Sequence, residues 1–111
     1  MKRFVFIIRG PVTGISSENA LASEAEMEKI RAWLKGLKST YQDMLFQKLG
    51  GQQEIINVNG KIESRLSNQI DGGEISQIVT LILPSLEEAQ KIGQSFPFPS
   101  TFYSIEIREL I

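Results

Sequence analysis

The chain has 111 residues, 41% of them apolar, with 12 Lys plus Arg against 13 Asp plus Glu and a net charge of −1. That size and composition fit one domain over residues 1–111 with a real core and exclude a disordered chain, while the balanced charge argues against nucleic acid as a partner. There is no cysteine and no histidine, which excludes disulfides, thiolate metal sites and cysteine nucleophiles and removes the commonest general base, zinc ligand and haem ligand, so neither a metal nor a cofactor is expected.

Residues 3–9 read as a strand, because Phe4, Val5, Phe6, Ile7 and Ile8 are aromatic or β-branched. Phe4, Phe6 and Ile8 share one face; Val5 and Ile7 take the other, flanked by Arg3 and Arg9. This apolar run of five residues is shorter than the 7–15 or so of a signal peptide. No run is long enough to span a membrane, and a cytoplasmic location is the expectation. Residues 10–22 read as a loop with Gly14, Ser16, Ser17 and Asn19 that could form a lid. Ser23 followed by Glu26 fits a capping box.

From about Glu24, Met27, Ile30, Leu34, Leu37 and Tyr41 form one apolar stripe at helical spacing, and Trp33 widens it. The pattern is expected to run on through Met44, Leu45 and Leu49, as one long or two consecutive helices, and to end at Gly50-Gly51. Gln53–Val58 and Lys61–Ser64 flank Asn59-Gly60, a strong two-residue hairpin signal. Their polarity places this ribbon at an edge or rim. Residues 65–74 follow as a polar loop ending in Asp71-Gly72-Gly73-Glu74.

The stretch Ile75 to Leu83 is apolar on both alternating faces, as in a central strand covered on both sides. Ile75, Val79, Leu81 and Leu83 point one way with Gln77; Ile78 and Ile82 point the other with Ser76 and Thr80. Pro84 stops the strand. Ser85 and Glu88 then open a short helix with Leu86, Ala89, Ile92 or Gly93, and Phe96 as its apolar face. Pro97 and Pro99 bracket Phe98 and end it. Tyr103, Ile105, Ile107 and Ile111 alternate with Ser104, Glu106, Arg108 and Leu110 in a half-buried closing strand.

The order β-α-β-β-α-β, with a possible extra ribbon, predicts an α+β fold: a ferredoxin-like antiparallel sheet with two helices on one face. The other face, apolar through Val5, Ile7, Ile78 and Ile82, then needs a cover. A second copy is the simplest one, giving a homodimer through the open sheet face.

The whole pattern resembles the YCII-related family, also described by its DGPF domain. The resemblance runs through Lys2 to Gly10, Met27 with Trp33-Leu34-Lys35-Gly36-Leu37, Gly51-Gln52 with Asn59-Gly60-Lys61-Ile62, Leu86-Glu87-Glu88-Ala89, and Ile105-Glu106-Ile107-Arg108. It implies a dimeric α+β barrel of undefined biochemical role that holds a small organic ligand. The chain departs from the family at two points. Only Asp71-Gly72 stands where many relatives carry Asp-Gly-Pro-Phe, and the His–Asp pair of some relatives has no counterpart.

Five residues are candidates for ligand binding: Arg9, Trp33, Asp71, Glu106 and Arg108. Arg9, Glu106 and Arg108 lie on neighbouring terminal strands and could hold a carboxylate-bearing molecule, since arginine pairs bidentately with carboxylates. The alternative is a cross-strand ion pair. Asp71 with Glu74 could rim a pocket, or simply make a tight turn. Trp33 could stack on a ligand or pack in the core. Tyr41 and Tyr103 are poor bases at neutral pH, and Ser16 and Ser17 suit capping better than catalysis. Neither Gly50-Gly51 nor Gly72-Gly73 has the context of a phosphate loop. Asp43, Glu54 and Glu63 would bind a cation only if folding gathered them. Two other functions are open: a cofactor-free enzyme using Asp71, Glu74 or Glu106 as base, and a structural partner without a ligand.

Overall fold

A strict alternation of burial marks the first strand. In β1 (Lys2–Arg9), Phe4, Phe6 and Ile8 are fully buried while Val5, Ile7 and Arg9 are half-buried. The computed structural model describes residues 1–10, 24–50, 52–66, 75–99 and 103–111. The loop at 10–22 beyond its first residue, the Ser23 cap, Gly51 and the Asp71-Gly72-Gly73-Glu74 turn lie outside them.

The first helix, α1 (Glu24–Thr40), opens with Glu24 and Glu26 and closes with Lys38, an arrangement that complements its dipole. Its stripe faces inward as expected: Ile30 and Leu37 are buried, and Met27, Trp33, Leu34 and Tyr41 pack against the same core. The helix does not continue through Leu49. It stops at Thr40, and the Lys38 ammonium donates to the carbonyls of Gln42 (3.0 Å) and Met44 (3.1 Å), pinning the turn that follows. Leu45–Lys48 then form β2. No local alternation announces this strand; its cause is pairing with a distant segment, Leu45 opposite Thr80 and Phe46 opposite Val79.

Next come β3 (Gln52–Ile56) and β4 (Ile62–Leu66), a two-stranded ribbon separate from the main sheet. The hairpin is real, but its turn is not the two-residue type. Ile56 pairs with Ile62, the Gly60 amide donates to the Asn57 carbonyl, and the Asn57 amide donates to the Lys61 carbonyl. Among the described residues only Gly60 has positive φ, at 81°. A three-residue loop ending in one left-handed glycine asks nothing unusual of Asn59, whose side-chain carbonyl instead accepts from the Lys61 amide at 2.9 Å.

The long strand β5 (Ile75–Leu83) has the expected bounds. α2 (Leu86–Gln94) follows, with the Ser85 hydroxyl accepting from the Glu88 amide at 3.3 Å. Ala89, Ile92 and Gly93 are its buried side, whereas Leu86 is exposed, contrary to expectation. β6 (Ser104–Leu110) closes the chain's order; Ile111 lies beyond it and is fully exposed.

The main sheet is antiparallel throughout, in the order β2-β5-β1-β6. Phe4, Phe6 and Ile8 stand opposite Leu81, Val79 and Gln77. With Leu83, and with Ile30, Leu37, Ala89, Ile92 and Phe96 from the helical side, the apolar members of this face form one core cluster. One residue changes sides. The register slips between Ile8 and Arg9, so Arg9 pairs with Ile75 and Ser76 becomes the extra residue of a bulge. Ile75 thereby joins Arg9's face rather than that of Val79. The bulged Ser76 hydroxyl donates to the Ile8 carbonyl at 3.1 Å. No described helix is long and apolar enough to cross a membrane.

Candidate functional site

Alternation along β1 and β6 decides which predicted residues meet. Arg9 pairs with Ser104 and Ile7 with Glu106, so Arg9, Glu106 and Arg108 share the sheet face opposite the helical core. There Arg9 Nη2 donates to Glu106 Oε1 at 3.3 Å, and Arg108 Nε donates to Glu106 Oε2 at 2.6 Å. One carboxylate thus engages both arginines, which is the ion-pair arrangement rather than an empty anion clamp. The side chains of Arg9 and Glu106 are about one third exposed, 34% and 35%.

The hydrogen bonds from Arg108 and then Arg9 hold the Glu106 carboxyl below the usual carboxylate range. A depressed folded-state pKa stabilises the fold above the unfolded-state value and loses that contribution as pH falls through the folded value. Glu106→Gln is therefore expected to lower the urea midpoint at pH 7. The gap from the parent protein should narrow steadily once the pH drops below the ordinary carboxylate range. Urea titrations at pH 7 and pH 3 check this, and an unchanged gap would refute it.

Around the charge cluster, the same face carries Val5, Ile7, Ile75, Ile78 and Ile82, all half-buried, with exposed Leu45 on β2. A shallow depression of about 420 Å³ crosses its far end, lined by Arg3, Asp43, Leu45, Thr80, Ile82 and Leu110.

Trp33 is not part of this face. Its indole N–H donates to the Ser95 hydroxyl at 2.9 Å, and its ring meets Phe96 edge-on with centroids 5.1 Å apart. Phe96 in turn meets Phe98 edge-on at 4.8 Å. Trp33 thus ties α1 to the end of α2, as a packing residue does. Asp71 and Glu74 fall outside the described residues. No group of three acidic side chains is placed to hold a metal among the described residues.

A second recess is lined by none of the described candidate residues. It lies between α2 and the edge strand β6, has a volume of about 440 Å³, and is lined by Gln90, Gly93, Gln94, Phe98, Ile105 and Ile107. Ile105 and Ile107 form its floor because they are the core-facing residues of a strand with no described strand beyond it. Gly93 lets the helix sit close: a Cβ there would come within 3.1 Å of Ile107 Cδ1. Gln90 and Gln94, exposed and one turn apart on α2, line it as well. The available signal was this Gln-x-x-Gly-Gln spacing beside an apolar helix face. No family model matches the chain, and no curated protein matches it.

Proposed function

We propose that the chain is a YCII-related, ferredoxin-like subunit that pairs through its open sheet face into a homodimeric α+β barrel and binds a small organic ligand. The strand order β2-β5-β1-β6, with both helices contributing to one core cluster, supports the fold reading. The face that no described helix covers carries the dimer reading. Val5, Ile7, Ile78 and Ile82 make an apolar strip across its central strands, interrupted by Thr80 opposite Val5 and bordered by Arg3 opposite Ile82, beside the Arg9–Glu106–Arg108 cluster. Such a strip is stabilised by exclusion of water, and a two-fold copy presents the same surface in return.

A binding role suits the cluster better than base catalysis. Glu106, held ionised by two arginines, is a weaker base than an ordinary carboxylate. The recess beside α2 has the volume of a small-molecule site.

Light scattering over a range of concentrations should return a mass near twice 12.5 kDa. Ile7→Glu, which puts a charge in the middle of the strip, should return the monomer mass with its circular dichroism unchanged. A wild-type monomer at every concentration would overturn the dimer.

A further inference from the structure

We infer that the recess between α2 and β6 is a binding site for a neutral, flat ring bearing a cis-amide edge, as in a lactam or a primary aromatic amide. The inference deepens the small-ligand reading above and does not need the dimer.

The lining decides the class. Ile105, Ile107 and Phe98 offer an apolar floor and wall, and Phe98 is 47% exposed, an aromatic face left for a ring to cover. Among the described residues no charged side chain lines the recess, so a carboxylate or ammonium would lose hydration there without gaining a counter-ion from them. What polarity there is comes from Gln90 and Gln94. Each carboxamide offers N–H donors beside a carbonyl acceptor. A cis-amide, whose N–H and C=O point the same way, can meet that edge with two hydrogen bonds at once. Neither glutamine side chain is hydrogen-bonded to another described residue, and both sit on a helix that lies close to the sheet at Gly93. The glutamines therefore lose no internal bond on binding.

The same geometry supplies the readout. Phe98 lines the recess, touches Phe96, and Phe96 touches Trp33. Trp33 is the sole tryptophan, so an isotope-labelled sample gives one indole N–H cross-peak. The Phe98 amide donates to the Phe96 carbonyl at 3.0 Å across Pro97, which couples the two rings through a tight turn. A ligand seated on Phe98 shifts the ring stack and with it the Trp33 peak.

The test titrates the full chain with 2-quinolinone, a neutral flat lactam, and in parallel with quinoline-2-carboxylate, its charged counterpart. The expected result is a saturable movement of the Trp33 indole peak with the lactam and none with the carboxylate. The double variant Gln90→Met, Gln94→Met keeps side-chain length and removes the amide chemistry. It should weaken the lactam at least tenfold with unchanged circular dichroism. No saturable shift at millimolar lactam, equal binding by the carboxylate, or equal binding by the double variant would each overturn the assignment. The solution mass of the same samples separates the two readings. A monomer that binds the lactam overturns the dimer alone, and a dimer that binds neither probe overturns this site alone.

Discussion

Replacing Phe6 with alanine is expected to lower the unfolding free energy by about 3–5 kcal/mol, the range for truncating a fully buried aromatic. Phe6 has no exposed surface. It lies mid-strand in β1, flanked by Val79 on β5 and Ile107 on β6. Above it, Phe6 Cε2 lies 4.0 Å from where a Cβ on Gly93 would stand. Neighbours on three elements would have to collapse together to fill the hole, and two of them are strands locked in register. A chain of this size has only about 5–15 kcal/mol of total stability, so the loss is a large fraction of the whole. A urea titration reads the effect as a lowered midpoint at constant slope. A loss under 1 kcal/mol would mean that Phe6 is not at the centre of the core.

Gly10→Ala should cost about 1–3 kcal/mol through overpacking, although backbone considerations point the other way. Gly10 is not in a left-handed conformation; among the described glycines only Gly60 has positive φ. Alanine would fit the backbone and restrict the unfolded chain, a gain of about 0.4–1 kcal/mol. Space reverses the sign. The new Cβ would lie 2.4 Å from Cδ1 and 2.6 Å from Cε1 of Tyr103. The ring must leave the glycine it covers. Burial and the nearby Glu26 carboxylate both push the Tyr103 phenol pKa up, so the displaced ring also leaves a partly desolvated position against α1. A double-mutant cycle isolates this contact. In a Tyr103→Ala background, Gly10→Ala should be neutral or slightly stabilising. The same cost in both backgrounds would locate the problem in the backbone instead.

Elements whose causes are local were legible in the sequence. Strict alternation marked β1, a two-sided apolar run bounded by Pro84 marked β5, and Ser85 marked the start of α2. What escaped depends on distant partners. Leu45–Lys48 reads as a continuation of a helical stripe, and only the free edge of β5 makes it a strand. Ile75 obeys the alternation of its own strand until one bulge at Ser76 turns it over, and nothing in Ile75-Ser76-Gln77 encodes that slip. The candidate site was partly legible for the same reason. Arg9, Glu106 and Arg108 meet because β1 and β6 are neighbours, as the strand pattern implied. Trp33 sits on the helical side instead. The α2–β6 recess is hinted at only by the Gln90-x-x-Gly93-Gln94 spacing; that Ile105 and Ile107 lie beneath it depends on how α2 packs on β6, which a local pattern does not state.

The sheet order also bears on how the chain is made. β1 occupies the interior of the sheet, yet both strands that flank it come from the far half of the sequence; the Arg9–Glu106 contact alone spans 97 positions. At about 5–20 residues per second, β5 follows β1 out of the ribosome by several seconds and β6 later still. Throughout that interval Phe4, Phe6 and Ile8 have no strand beside them. The strand that precedes the other described strands is thus completed only with the last of them, so during synthesis its apolar residues stand exposed, the condition that makes a nascent chain prone to aggregate and in need of chaperones.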